Sequence, residues 1–250
     1  MNKSIFTLAF IGVCAIASCK KDDAKTTSPT PTPTPSSAAA TPSYGTGDGA
    51  VVALITRTTI SNPVLGEYDQ DLGTGVAVFG NLSTGTYVDA GAVTLNGKTL
   101  TKQTNNAYVY TPGMTDITGI DFSSSINWNV TTPSFTYDAM SSGRGMPEAG
   151  GFTTAYSSID GSAAFTLSIK SVYNADSVYF QINGPSKSIL KRMGGTAVSV
   201  TFTADEMKSL GKSQGCSVTV APWNHQEKTL GGKMIHVVNE LALSRVLEIK

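Results

Sequence analysis

The chain has 250 residues, 18 basic and 18 acidic side chains, a formal net charge of zero and only 14% charged residues. A near-neutral surface offers no basic stripe for phosphate backbones, which excludes nucleic acid as the expected partner. Its 25 glycines and abundant Ser and Thr suit many short strands joined by turns.

The N-terminus has a secretory pattern: Lys3 supplies positive charge, and an apolar stretch over 5–17 follows it. That stretch is too short to span a bilayer, which takes about 20 apolar residues. It ends in Ile16-Ala17-Ser18-Cys19. An ordinary export signal needs the small residues but has no use for the cysteine. The segment resembles the lipobox of bacterial lipoproteins. That resemblance implies a lipid on the Cys19 thiol and removal of residues 1–18, and two or three acyl chains anchor stably. Lys20-Lys21-Asp22-Asp23 is similar to the start of many mature Bacteroidota lipoproteins. The likeness implies the outer membrane and its exposed face, with a periplasm-facing anchor as the alternative. No Asp follows Cys19 directly, so the inner-membrane retention pattern of enteric lipoproteins is missing.

Residues 24–48 alternate Thr and Pro and then turn to Ser, Ala and Gly. Proline fixes φ and removes donors, and the segment has no large aliphatic side chains to bury. It is expected to be an extended stalk of several nanometres, at about 3.1 Å per residue. Loss of Lys3 with the leader leaves 17 basic against 18 acidic residues in the remainder. Cys14 also leaves and Cys19 is expected to carry lipid. Cys216 is then alone, and no intrachain disulfide can form. It opens an apparent strand and is expected to be a small buried core residue.

From residue 50 onward period-two alternation dominates. Residues 50–55 suit a buried strand, followed by strands at 75–79 and 86–95. Asn96-Gly97 signals a hairpin, because a type I′ turn needs positive φ at both central residues. Strands at 107–110, 126–130 and 134–137 complete this half, with Trp128 expected to plug the core. Residues 138–151 lack periodicity, and a domain boundary is placed there; a long loop in one larger sandwich is the alternative.

The second half alternates at 163–169, 177–182 and 198–202. Thr203-Ala204-Asp205-Glu206 is a capping box for a short helix through Met207 and Leu210, ended by Gly211. Strands at 217–221, 233–238 and 242–249 close the chain. The expected fold is all-β: two tandem immunoglobulin-like β-sandwiches over 49–148 and 149–250, or one large sandwich. A signal (1–18) and a lipidated stalk (19–48) precede it. The Cys-Trp-Cys signature of antibody domains is absent.

The whole chain resembles Bacteroidota lipoproteins with such an ectodomain, through the lipobox, the stalk, Asp89-Ala90-Gly91-Ala92-Val93-Thr94-Leu95-Asn96-Gly97 and the later Trp128-Asn129-Val130. These motifs are structural. The resemblance implies fold and location and supplies no activity.

No His-Glu-x-x-His helix occurs. His225, expected in or near a hairpin loop, and His236, expected on a strand, are assigned structural duty. Glu67, Asp69 and Asp71 alternate ahead of Gly73 and are the candidates for a loop-held Ca²⁺, because hard cations want several oxygens. Otherwise no cofactor is expected. Trp223, Asn224 and His225 form a candidate ligand-binding group, with the indole as a sugar-stacking platform. Asp176-Ser177-Val178 resembles a Bacteroidota O-glycosylation acceptor. The expected function is a lipid-anchored surface binding or adhesion module without catalysis, held to the membrane by its lipid and taking a glycan or protein ligand. The alternatives are a purely structural envelope lipoprotein, and a glycan-active enzyme built on carboxylates such as Glu148, Asp160 and Glu240.

Overall fold

The computed structural model describes residues 46–62, 66–131, 136–141, 143–154 and 156–250. Cys19 and most of the stalk lie outside these residues. The described chain begins with two long strands, β1 (Gly49–Asn62) and β2 (Gly66–Asn81). Short strands follow: β3 (Thr86–Tyr87), β4 (Ala92–Leu95), β5 (Lys98–Thr99), β6 (Thr101–Lys102), β7 (Tyr108–Tyr110), β8 (Asn127–Thr131) and β9 (Thr136–Ser141). Next come β10 (Glu148–Ala149), β11 (Ser158–Ile159), β12 (Phe165–Ser168), β13 (Val172–Tyr173), β14 (Ser177–Asn183), β15 (Ser188–Gly194) and β16 (Ser199–Phe202). The helix α1 (Ala204–Leu210) leads into the two longest strands, β17 (Ser213–Leu230) and β18 (Lys233–Ile249).

A ten-stranded sheet runs β15-β14-β17-β18-β1-β2-β7-β6, with β11 also on β18 and β3 on β2. Along this path neighbours are antiparallel except β1 and β18, which pair in parallel from Gly49 opposite Ile235 to Thr58 opposite Ser244. Strands from 49–148 and from 149–250 therefore share one sheet. A four-stranded sheet (β5-β4-β8-β9) and two-stranded sheets β12-β16 and β10-β13 complete the described strands.

Because side chains alternate along a strand, each long strand has two faces. On the first face Val51, Ala53, Ala77, Phe79, Ile235 and Val237 pack against Val93, Leu95, Trp128 and Val130 of the four-stranded sheet. Further across that face Phe180, Val218, Val220, Leu241 and Leu243 pack against Leu167, Phe202, Met207 and Leu210 of β12, β16 and α1. Each fully buried side chain of this size contributes about 1.5–3 kcal/mol. The molecule is thus an all-β sandwich, with one short helix in its second layer. That helix starts as its sequence requires: Thr203 Oγ1 accepts from the Glu206 amide, and Glu206 Oε2 accepts from the Thr203 amide. Gly211, at φ 80°, ends it.

Several boundaries differ from the sequence expectation. The strand expected over 86–95 is broken at 88–91, where Asp89 Oδ1 accepts from the Gly91 amide and Gly91 takes φ 76°. The separate strands expected at 233–238 and 242–249 are one continuous strand, β18. β17 runs on through Trp223–Glu227, where a hairpin loop was expected; the turn is instead at Gly231-Gly232, with φ 54° and 78°. β15 carries no clean alternation and was not anticipated. The Asn96-Gly97 hairpin forms as expected, with φ 47° and 77°.

Candidate functional site

The second face of the large sheet carries a stripe of aromatic, imidazole and carboxyl groups. Its apolar cluster is Val52, Leu54, Val76, Tyr179, Ala221, Trp223, Val238 and Ala242, with Val109 against it. Every one of these belongs to a strand of the large sheet itself, whereas both clusters on the first face draw members from a second layer. Trp223, only 5% exposed, stacks on Tyr179 at 5.9 Å and 14°, and the Arg192 guanidinium lies 5.1 Å from its ring centroid. Arg192 is held in turn by Ser177, whose Oγ accepts from Nε at 3.1 Å. The indole is therefore packed by protein groups and is not a bare platform.

Directly across the ladder from Trp223 is Glu240. It is buried, and no hydrogen bond or ion pair to it occurs among the described residues. Burial alone pushes its carboxyl up to about 7. The Trp223 indole N–H and Gln181 Oε1, on the same face, are likewise buried without a hydrogen-bond partner. Two other such atoms, Trp128 Nε1 and Asn239 Oδ1, lie on the covered side. A buried ionisable group without compensation is expensive, and such groups cluster at binding and reaction sites.

Trp223, Asn224 and His225 are neighbours in sequence, but alternation along β17 separates their side chains. Trp223 and His225 share the second face. Asn224 points to the first, where its Nδ2 donates to the carbonyls of Gly145 (3.0 Å) and Asn174 (2.8 Å). Asn239 Nδ2 donates to Asn224 Oδ1 at 2.9 Å. Asn224 thereby seats the segment around Gly145 on the sheet, a role the local sequence does not advertise.

His225 and His236, eleven residues apart, meet beside Trp223. His225 Nε2 lies 2.9 Å from His236 Nδ1, and the rings stack with centroids 5.1 Å apart. Glu227, the cross-strand partner of His236, brings Oε1 to 3.9 Å from Nδ1. The ligand atoms of all three lie within 4.8 Å of one another. His236 Nε2 lies 2.6 Å from the Thr46 carbonyl oxygen. A carbonyl only accepts, so this nitrogen carries the proton and Nδ1 presents a lone pair. Burial and the neighbouring His236 hold His225 below the ordinary imidazole value, favouring its neutral form. Sequence reasoning found no compact ligand set because it put His225 in a loop; extended through Glu227, β17 places these side chains together.

Glu67, Asp69 and Asp71 lie on strand β2, not in a loop. Alternation puts them on one face about 7 Å apart. Each has its own partner: Arg57 forks onto Asp71 (2.7 and 2.8 Å), Thr59 donates to Asp69 (2.8 Å), and Arg245 pairs with Glu67. Ser177, the acceptor hydroxyl in the glycosylation-like motif, is buried. Cys216 sits in the core, where burial pushes its thiol up to about 12. Of the carboxylates considered for hydrolysis, Glu148 is exposed on β10, and the hydroxyl and amide of Ser162 hold Asp160 below its ordinary value. Glu240 alone among the described carboxylates is raised to near neutrality.

No protein-family model matches the chain, and no match to a curated protein was found. No helix among the described residues is long and apolar enough to cross a membrane.

Proposed function

We propose that this chain is a lipid-anchored binding module of the bacterial cell surface, held in the outer membrane through Cys19 and taking its ligand at the Trp223 face of the large sheet. The observation that carries the reading is Glu240: a buried residue whose carboxyl has no protein partner among the described residues, directly across the ladder from an indole whose N–H also lacks one. A ligand with hydroxyl or amide groups supplies what both lack, a donor for the carboxylate and an acceptor for the indole. Glycans and extended peptide segments both have that chemistry. The lipobox and stalk support display at the surface, with a periplasm-facing anchor as the alternative.

The test is a glycan and polysaccharide screen with the full chain in detergent, run with Ca²⁺ and with chelator. Specific binding lost in Glu240→Gln supports the reading. Glu240→Gln is the informative variant because it keeps shape and removes only the charge. No binding to glycans, and none to envelope proteins in a pull-down, would favour a structural envelope role instead. Loss with chelator that Ca²⁺, and not Zn²⁺, restores would bring Glu67, Asp69 and Asp71 into the site. For the anchor, Cys19→Ala is expected to move the protein from the membrane to the soluble fraction; a variant that stays membrane-bound would overturn it.

A further inference from the structure

We propose that His225 Nε2, His236 Nδ1 and the Glu227 carboxylate form a three-ligand site for a divalent transition metal, Zn²⁺ by ligand type. The site goes beyond the ligand-binding reading and does not depend on it.

Three features of the geometry carry it. First, the strands preset the ligands: Glu227 faces His236 directly across the β17–β18 ladder, and His225 is two residues away on the same face. Two imidazoles and a carboxylate are the ligand types of a three-ligand zinc site with an open position. Tetrahedral bonds of about 2.0–2.1 Å put ligand atoms about 3.3 Å apart. The present separations are 2.9 Å between the two nitrogens and 3.9 Å from His236 Nδ1 to Glu227. A metal thus needs the imidazoles to part by a few tenths of an ångström and the exposed Glu227 to swing in from separations of no more than 4.8 Å, by roughly an ångström.

Second, an outer shell is already in place. The Thr46 carbonyl takes the Nε2 proton of His236, which fixes the ring and aims the Nδ1 lone pair at the gap, as carbonyls and carboxylates do behind metal-bound histidines. That carbonyl is itself held. Asp48 donates its amide to the Met234 carbonyl at 2.8 Å, and its carboxylate accepts from the Met234 amide at 2.9 Å and from Lys233 at 3.2 Å.

Third, Gly47 permits the close approach. At φ 142°, a Cβ there would lie 2.7 Å from His236 Nε2. Only glycine lets the backbone pass so near the ring.

Without metal, the Thr46 contact makes His236 Nδ1 the acceptor of a hydrogen bond from His225 Nε2–H at 2.9 Å. Zinc takes the place of that proton between the rings: the proton moves from Nε2 to Nδ1 of His225, which then binds as a neutral imidazole. Glu227 lies too far for a hydrogen bond in that arrangement and contributes only once a cation is present, which gives the test its discriminating variant.

The experiment is a Zn²⁺ titration of the full chain in detergent against a chromophoric chelator, with Co²⁺ as a spectroscopic substitute. One equivalent is expected to bind, with visible Co²⁺ bands of tetrahedral intensity. His225→Ala is expected to weaken Zn²⁺ at least roughly 100-fold, since even outer-shell changes cost 10–100-fold. Glu227→Gln, on an exposed side chain, is expected to weaken binding while leaving the unfolding midpoint of the metal-free chain unchanged. Gly47→Ala is expected to weaken it through the outer shell. No stoichiometric binding, binding unaffected by His225→Ala, or binding insensitive to Glu227→Gln would overturn the site. Zinc binding retained in Glu240→Gln would separate this site from the ligand-binding reading, whichever way the glycan screen falls.

Discussion

The two faces of the ten-stranded sheet use the same strands and the same period-two alternation, yet they are finished differently. On the first face the apolar rows meet a second layer: Trp128, Val93 and Leu95 on one side, Phe202, Met207 and Leu210 on the other. Where polar groups enter, as at Asn224 and Asn239, they seat a chain segment through hydrogen bonds. On the second face the apolar cluster belongs to the sheet's own strands, Trp223 Nε1 and Gln181 Oε1 are buried without partners, and burial raises the Glu240 carboxyl to about 7. Both faces hold buried polar atoms without partners, Trp128 Nε1 and Asn239 Oδ1 on the first and Trp223 Nε1 and Gln181 Oε1 on the second, so the difference lies in the second layer over the first face and in the ionisable Glu240 on the second, whose burial costs stability. Such a cost is typical of functional sites.

The largest expected effect tests the first face. Phe180→Ala, at a side chain with no exposure, is expected to lose about 3–5 kcal/mol in denaturant unfolding. A loss of similar size from Val238→Ala on the second face would make the two faces equally structural and break the comparison.

Next is Glu240. Its folded value, about 7, lies above the ordinary 4.5, so the folded chain holds the proton more tightly than the unfolded one. Stability is then expected to fall as pH rises from about 4.5 to 7 and to level off above, by about 3 kcal/mol in all. Glu240→Gln is expected to remove that slope; unfolding curves of both proteins at pH 5 and 8 check it. A wild-type protein with no slope in this window would mean the carboxyl is solvated or paired.

Thr203→Ala removes the helix cap and is expected to cost about 1 kcal/mol, which sharpens the account of the second layer over the first face. Smallest is Asp71→Ala. It breaks the Arg57 fork on a half-exposed strand edge and is expected to cost less than about 1 kcal/mol, less again at high salt. A double-mutant cycle with Arg57→Ala measures the coupling.

Much of this architecture was legible in the sequence. Alternation at 177–182 gave β14, Asn96-Gly97 gave its hairpin, and Thr203 with Glu206 gave α1, because each signal is local. What failed was also physical. Trp223-Asn224-His225-Gln226-Glu227 looks like a polar loop since a strand interior normally shows an apolar row. Here the polar side chains divide between a hydrogen-bonded junction and the second face. Glu67, Asp69 and Asp71 looked like a cation loop because their partners, Arg57 and Arg245, come from distant strands. The meeting of His225 with His236 depends on a register that no single strand encodes. Glu240 did leave a trace: Asn239-Glu240 interrupts an otherwise apolar run from Val237 to Leu243.

The central claim is that ligand is taken on the second face, and the chain's two tryptophans, Trp128 and Trp223, allow it to be measured directly. Trp128→Phe leaves Trp223 as the sole indole, and Trp223→Phe leaves Trp128. Fluorescence of each is followed while envelope polysaccharide is added. The expected result is a saturable change in emission from the protein that keeps Trp223 and none from the protein that keeps Trp128. A saturable change reported by Trp128, with Trp223 silent, would contradict it.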